Sequence, residues 1–166
     1  MMTAKKHNLK FAWFSSLAVV IMTAITWGFA MVAVPPAGPF CPGDCMEYPF
    51  SDLLDYYPSD YYLMYLAILQ VFTYILFMVS NYFIAREEKK IYGFSSVTFS
   101  IISAVVLLIA YFVQFSVVPV SMMKGETEGN ALLTQYNGQG IFIAVEELDY
   151  ITMSISFLFL AFVFPR

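Results

Sequence analysis

The chain has 166 residues, of which 60% are hydrophobic and only 12% charged. Ordinary soluble domains carry about 25% charged residues, so this composition excludes most soluble classes. The net charge of −4 reflects eight basic and twelve acidic residues, and no nucleic-acid partner is expected.

The first long apolar stretch is Phe11–Val34. Crossing a hydrocarbon core about 30 Å thick takes about 20 apolar residues as a helix, and this stretch has the length. Lys5, Lys6 and Lys10 precede it, as they would precede a signal peptide. Its run is far longer than the 7–15 residues of a cleaved apolar segment, so an uncleaved signal-anchor is expected. Ala24 and Gly28 form a small-xxx-small pair suited to close helix approach.

Residues 35–60 follow as the longest loop, with Asp44, Glu47, Asp52, Asp55, Asp60 and no Lys or Arg. Such acids can funnel cations, but salt screens exposed charges beyond roughly 8 Å, so the plain reading of a solvated loop is preferred. Both cysteines of the chain, Cys41 and Cys45, lie here in Cys-Pro-Gly-Asp-Cys. Pro-Gly suits a type II turn between the sulfurs, and a translocated loop permits oxidation, so a small structural disulfide is expected. Two thiolates and Asp44 are too few for a closed metal site.

The second span is Tyr61–Ala85, with Gln70 and Tyr74 as i, i+4 neighbours about two turns in and Tyr65 above them. A short loop, 86–93, carries Arg86, Lys89 and Lys90. The third span, Phe94–Val120, presents Ser96, Ser100 and Ala104 as a small-residue ridge, then Tyr111 and Gln114 toward the end marked by Pro119. Residues 121–139 form a second loop with Lys124, Glu126 and Glu128, whose Ala131–Tyr136 portion is expected to lie along the interface as a short amphipathic turn. No segment resembles a phosphate- or nucleotide-binding motif, and no cofactor is expected.

The fourth span, roughly Gly140–Phe164, opens with Glu146, Glu147 and Asp149. Uninterrupted runs of this length lack the alternation of barrel strands, so the predicted fold is all-α: a four-helix transmembrane bundle in one domain. Lys5, Lys6, Lys10, Arg86, Lys89, Lys90 and Arg166 fall on one side and Lys124 on the other. The positive-inside rule makes the richer side cytoplasmic, with both termini there and the protein in a cell membrane. Tyr56, Tyr57, Tyr61 and Tyr62 near the outer face, and Trp13, Phe14, Tyr82, Phe83, Tyr92 and Phe94 near the inner one, suit interfacial depths.

Depth decides what the acids mean. Counting back about 20 residues from Phe164 puts the outer boundary near Val145, which leaves the acids in the outermost turns. Glu146, Asp149, Tyr150 and Met153 share a face, while Glu147 sits about 100° away. Glu146 and Asp149 are therefore the expected inward pair. With Glu147, Tyr150, Gln70 and Gln114 they make the candidate ligand- or ion-binding set, in a polar chamber that Tyr74, Trp27 and Tyr111 can also reach. Each glutamine alone reads as interhelical glue worth about 0.6 kcal/mol, whereas ionisable residues inside spans point to function. His7, the only histidine, lies in the N-terminal tail, so no His-ligated zinc or haem site is expected.

Three likenesses bear on this helix. Glu146-Glu147 is similar to the Glu-Glu-x-x-x-Arg of intramembrane proteases, but Ile151 stands where the arginine belongs. Small sterol-isomerase-like proteins share only topology and acids. The segment GIFIAVEELDYITMSISFLFLAFVF, Gly140–Phe164, resembles a stretch in uncharacterised multi-span membrane proteins of prokaryotes. That resemblance implies a membrane helix and no activity, and such proteins often continue past it, so the end at Phe164-Pro165-Arg166 is expected to mark a truncation.

The sequence thus points to cation/proton-linked or small-solute binding or transport through an outward-facing acidic site. The alternatives are a non-enzymatic accessory or sensor subunit and, third, an intramembrane lipid-modifying enzyme. The expected partners are the lipid bilayer, a cation or small molecule, and a second copy or another membrane subunit.

Overall fold

The computed structural model describes residues 2–33, 35–38 and 41–164, with side chains from His7 onward. Val34, the expected end of the first span, and Arg166 lie outside the described residues. Among the described residues the chain is helical, with no strand. The long helices are α1 (Met2–Val32), α2 (Tyr62–Ile84), α3 (Lys90–Ser116) and, after two short ones, α6 (Ile141–Val163); α4 is Val118–Met123 and α5 Asn130–Leu133.

Among the described residues three stretches are long and apolar enough to cross a membrane: His7–Val32, Ser59–Ile84 and Glu87–Met123. Helix α6 has 23 residues, enough in length, but carries its three carboxylates in its first half. Apolar composition rather than capping sustains these helices, since α2, α3 and α6 all begin without a side-chain cap. Helix α3 stops at Ser116, and Pro119 allows the bend because its ring nitrogen has no hydrogen to give the previous turn.

The long helices run antiparallel in chain order. Glu87–Lys89 form a tight 3₁₀ turn between α2 and α3. A Cβ on Gly93 would approach the Tyr82 Cα to 3.3 Å, so glycine lets the two backbones close there. Aromatic pairs set the register of α3 against α6: Tyr111 on Phe142, Phe99 on Phe159 and Tyr92 on Phe162, from one end to the other.

Helix α3 lies between α2 and α6, and α6 reaches α2 around Tyr74, Met78, Leu160 and Val163. Helix α1 packs along α2 and makes no substantial contact with α3 or α6. Ser15 bonds Ser80 at 2.8 Å, and the Gln70 side chain donates to Thr23 at 3.2 Å. The C-terminal half of α1 is largely bare, with Trp27 66% and Val32 77% exposed. The Ala24–Gly28 pair therefore does not seat a neighbouring helix within the chain, and Trp27 does not reach the polar layer; no heavy atom lies within 4 Å of a Cβ on Gly28. Helices α2, α3 and α6 thus meet one another, and α1 lies at one edge against α2.

The two loops at the far end fold onto each other. Cys41 and Cys45 are disulfide-bonded, and beyond them Met46, Phe50 and Leu53 pack with Val118 and Tyr136 into a small second core. Within Ala131–Tyr136, Thr134 and Tyr136 are buried in this cap and Leu132 is exposed. Burial first, then the neighbouring Tyr61 and Asp60, push the Tyr136 phenol up, so it stays protonated and donates to Asp60 Oδ2 at 3.2 Å.

Gly140 joins the cap to α6. A Cβ there would sit 2.8 Å from the Leu132 carbonyl oxygen, which is backbone and cannot swing aside. Gly140→Ala is expected to lower stability by about 1–3 kcal/mol through overpacking, read as a lower thermal midpoint. Gly28→Ala, with open space around it, should leave the midpoint unchanged or raise it slightly, since alanine is the better helix former.

Candidate functional site

Helix α3 carries Ser96, Ser100 and Ser103 at i, i+4, i+7, all buried, with Ala104 beside them. Small side chains let α6 approach closely, and α6 answers with Asp149, Thr152 and Ser156 at i, i+3, i+7. Antiparallel packing matches the two stripes. The Ser103 hydroxyl donates to Asp149 Oδ1, and the Ser156 hydroxyl donates to the Ser96 carbonyl at 3.0 Å. Thr152 turns back onto its own helix, donating to the carbonyls of Leu148 and Asp149 at 3.0 and 2.9 Å.

Asp149 is 0% exposed, and its second oxygen, Oδ2, has no hydrogen-bond partner. Tyr74, from α2, is 4% exposed and also has an unpartnered hydroxyl. That hydroxyl lies beside Ser103, Ser156 and Asp149 without completing a hydrogen bond to any of them. Three helices thus bring a carboxylate, a phenol and the Ser103 hydroxyl together, with Ser156 two turns further along α6. Ion pairs among the described residues join Arg86 to Glu88 and Lys90 to Glu87, both away from this point, so no described basic side chain balances Asp149.

The depth of this point differs from the sequence expectation. Ser103 and Tyr74 stand near the middle of α3 and α2. Asp149 is about 12 Å along α6 from Ile141 and is level with those midpoints, not with the outermost turn. Counting back from Phe164 misplaces it because the register is set by α3, which runs on past the start of α6.

The remaining candidates separate. Glu146 sits one turn nearer the cap, half-buried, and accepts a long hydrogen bond of 3.4 Å from the Tyr111 hydroxyl. Glu147 and Tyr150 are exposed, Tyr150 at 55%, and take no part in the buried cluster. Gln114 is fully buried, but its amide is committed to the cap: it donates to the Leu133 carbonyl and accepts from the Gln135 N–H at 2.9 Å. Gln70 is spent on Thr23 of α1. Both glutamines are ties between elements, so the two do not line a common chamber with the acids.

Two clefts lie elsewhere. One of about 460 Å³ is wholly apolar, between α2 and α3, lined by Ile68, Leu108, Ile109, Phe112, Val113 and Phe115. Another of about 240 Å³ lies between α1 and α2 beside His7, Phe11 and Ser80. No group of three or more His, Cys, Asp or Glu converges among the described residues. Comparison with protein-family models, curated proteins and solved structures finds no match to this chain.

Sequence reasoning passed over Ser103, Thr152 and Ser156. The signal was present in the paired spacing of polar residues on the third and fourth apolar runs, which repeats on both helices.

Because Gln114 satisfies two backbone groups, Gln114→Leu should cost about 1–3 kcal/mol and speed amide hydrogen exchange at Gln135. Gln70→Leu breaks one exposed contact to α1 and should cost less than about 1 kcal/mol in the same thermal unfolding experiment.

Proposed function

We propose that this chain crosses a cell membrane four times, with both termini in the cytoplasm, and that its acidic seam binds a cation or small solute, or couples to protons, as part of binding or transport from the outer side. Three apolar helices support the membrane placement. Helix α6 runs beside α3 over its whole length, so a bilayer that contains α3 contains α6. The distribution of Lys and Arg supports the orientation. The Cys41–Cys45 disulfide agrees with a loop on the oxidising side. The likeness of Gly140–Phe164 to uncharacterised multi-span proteins of prokaryotes agrees with this placement and assigns no activity.

The observation that carries the functional reading is Asp149, wholly buried at the mid-length of three helices with no basic partner among the described residues. A charged side chain at the centre of a membrane costs about 2.5–3.5 kcal/mol on insertion scales. Packing alone gives no reason to keep it, because alanine or serine would close the same seam. Four helices are few for a transporter, so a second copy or another membrane subunit would complete the pathway.

A second reading, a non-enzymatic accessory or sensor subunit, draws on two other observations. Gln70 and Gln114 act as structural ties, and the two clefts described lie away from the acids.

Orientation is testable with the two native cysteines. In intact cells treated with a membrane-impermeant reductant, an impermeant maleimide should label Cys41 and Cys45; labelling only after permeabilisation would reverse the topology. Function is tested by thermal stability of purified protein across acidic to alkaline pH, with Na⁺, K⁺ or organic amines. Asp149→Asn and Glu146→Gln should each change the response, while Glu147→Gln tracks wild type. If all four proteins respond alike, the acids are structural and the accessory reading stands.

A further inference from the structure

Every hydroxyl proton on the seam between α3 and α6 is already committed. Ser96 gives its proton to the Met78 sulfur, Ser100 to the Val97 carbonyl, Ser103 to Asp149, Thr152 to its own helix and Ser156 to the Ser96 carbonyl. What the side chains leave free around Asp149 Oδ2 is therefore lone pairs, from Ser103 and the carboxylate itself. Tyr74, buried and unpartnered on α2, adds a further oxygen from the opposite side.

An acceptor-rich, anionic and dehydrated cluster calls for a positive species. A direct Tyr74–Asp149 hydrogen bond would satisfy two oxygens but leave the charge unbalanced. A proton needs one acceptor, whereas oxygens from three side chains on three helices converge here. A divalent ion ordinarily gathers several carboxylates, and only one is present at this point. The serines are at most 1% exposed and the seam is close-packed, which favours the smaller of the common alkali ions.

We infer that Asp149, Ser103 and Tyr74 form a site for a single monovalent cation of the sodium class, at the junction of α2, α3 and α6. This rests on the reading of the acidic seam as a binding site and names its ligand. Glu146, one turn toward the cap and loosely held by Tyr111, lies on the approach from the outer side.

The test uses the full chain purified in detergent, with NaCl compared against equimolar KCl and choline chloride, and with radioactive sodium as a direct binding probe. Sodium should raise the thermal midpoint and bind saturably, and the other salts should do neither. Asp149→Asn should abolish both effects. Tyr74→Phe should raise the sodium concentration for half effect about tenfold, the loss of one charge-assisted contact. Glu128→Gln, on the exposed outer loop, should match wild type. Equal stabilisation by all three salts, or a sodium response that survives in Asp149→Asn, overturns the inference. If Asp149→Asn does not fold, Tyr74→Phe and Ser103→Ala carry the test, and an unchanged half-effect concentration in both overturns it. A third result separates the two readings. If sodium does nothing while Asp149→Asn or Glu146→Gln alters the response to pH or amines, the cation site falls and the acidic seam stands. If the acid variants and wild type behave alike under every condition, both fall.

Discussion

Close approach of α3 and α6 is the constraint on which the rest of the molecule depends. Between apolar helices in lipid there is no hydrophobic drive to associate, so contact rests on packing of small residues and on hydrogen bonds. Here both come from the same residues. Ser96, Ser100 and Ser103 are small enough to admit α6, Ser103 bonds Asp149, and the close approach lets Ser156 reach the Ser96 carbonyl. Once α6 is seated, Asp149 has nowhere to go but the interior, and α2 closes the third side with Tyr74 and Met78.

The same constraint explains the division of labour among polar groups. Residues on the seam face one another and build the site, whereas those one helix face away become fasteners. Gln114 holds the cap to the end of α3, and Gln70 holds α1 to α2. The cap itself has an independent apolar core, so its acidic surface is carried by a folded structure and not by a slack loop. Asp60 enters that structure through Tyr136, while Asp44, Glu47, Asp52 and Asp55 remain on its exterior.

Helix positions were legible because apolar run length is a one-dimensional property. The helices α2, α3 and α6 begin close to Tyr61, Phe94 and Gly140, whereas α1 opens at Met2, well before Phe11, and the Cys41–Cys45 link followed from two cysteines flanking a turn. The inward direction of Asp149 was legible too, from its angle relative to Glu147. Depth was not, because it depends on how far one helix slides along another, and that slide is fixed by pairs such as Phe99–Phe159 that no single segment contains. Ser103 and Ser156 escaped notice for the same reason: a serine in an apolar run means little until another helix presents its match. The place of α1 at one edge was equally hidden, since its composition is that of any span.

The uneven polarity of α1 and α6 bears on how the chain would be built. On the four-span reading, α1 can enter the bilayer alone as it leaves the ribosome, and its packing against α2 alone suits a helix that was stable before its neighbours arrived. Helix α6 cannot do so as easily, because Glu146, Glu147 and Asp149 raise the cost of partitioning an isolated segment. The serine stripe on α3 is synthesised first and offers Asp149 its partner. Helix α3 would therefore act as a template for the last insertion step, and a fault in the stripe would strand α6 at the membrane surface before any binding activity came into question.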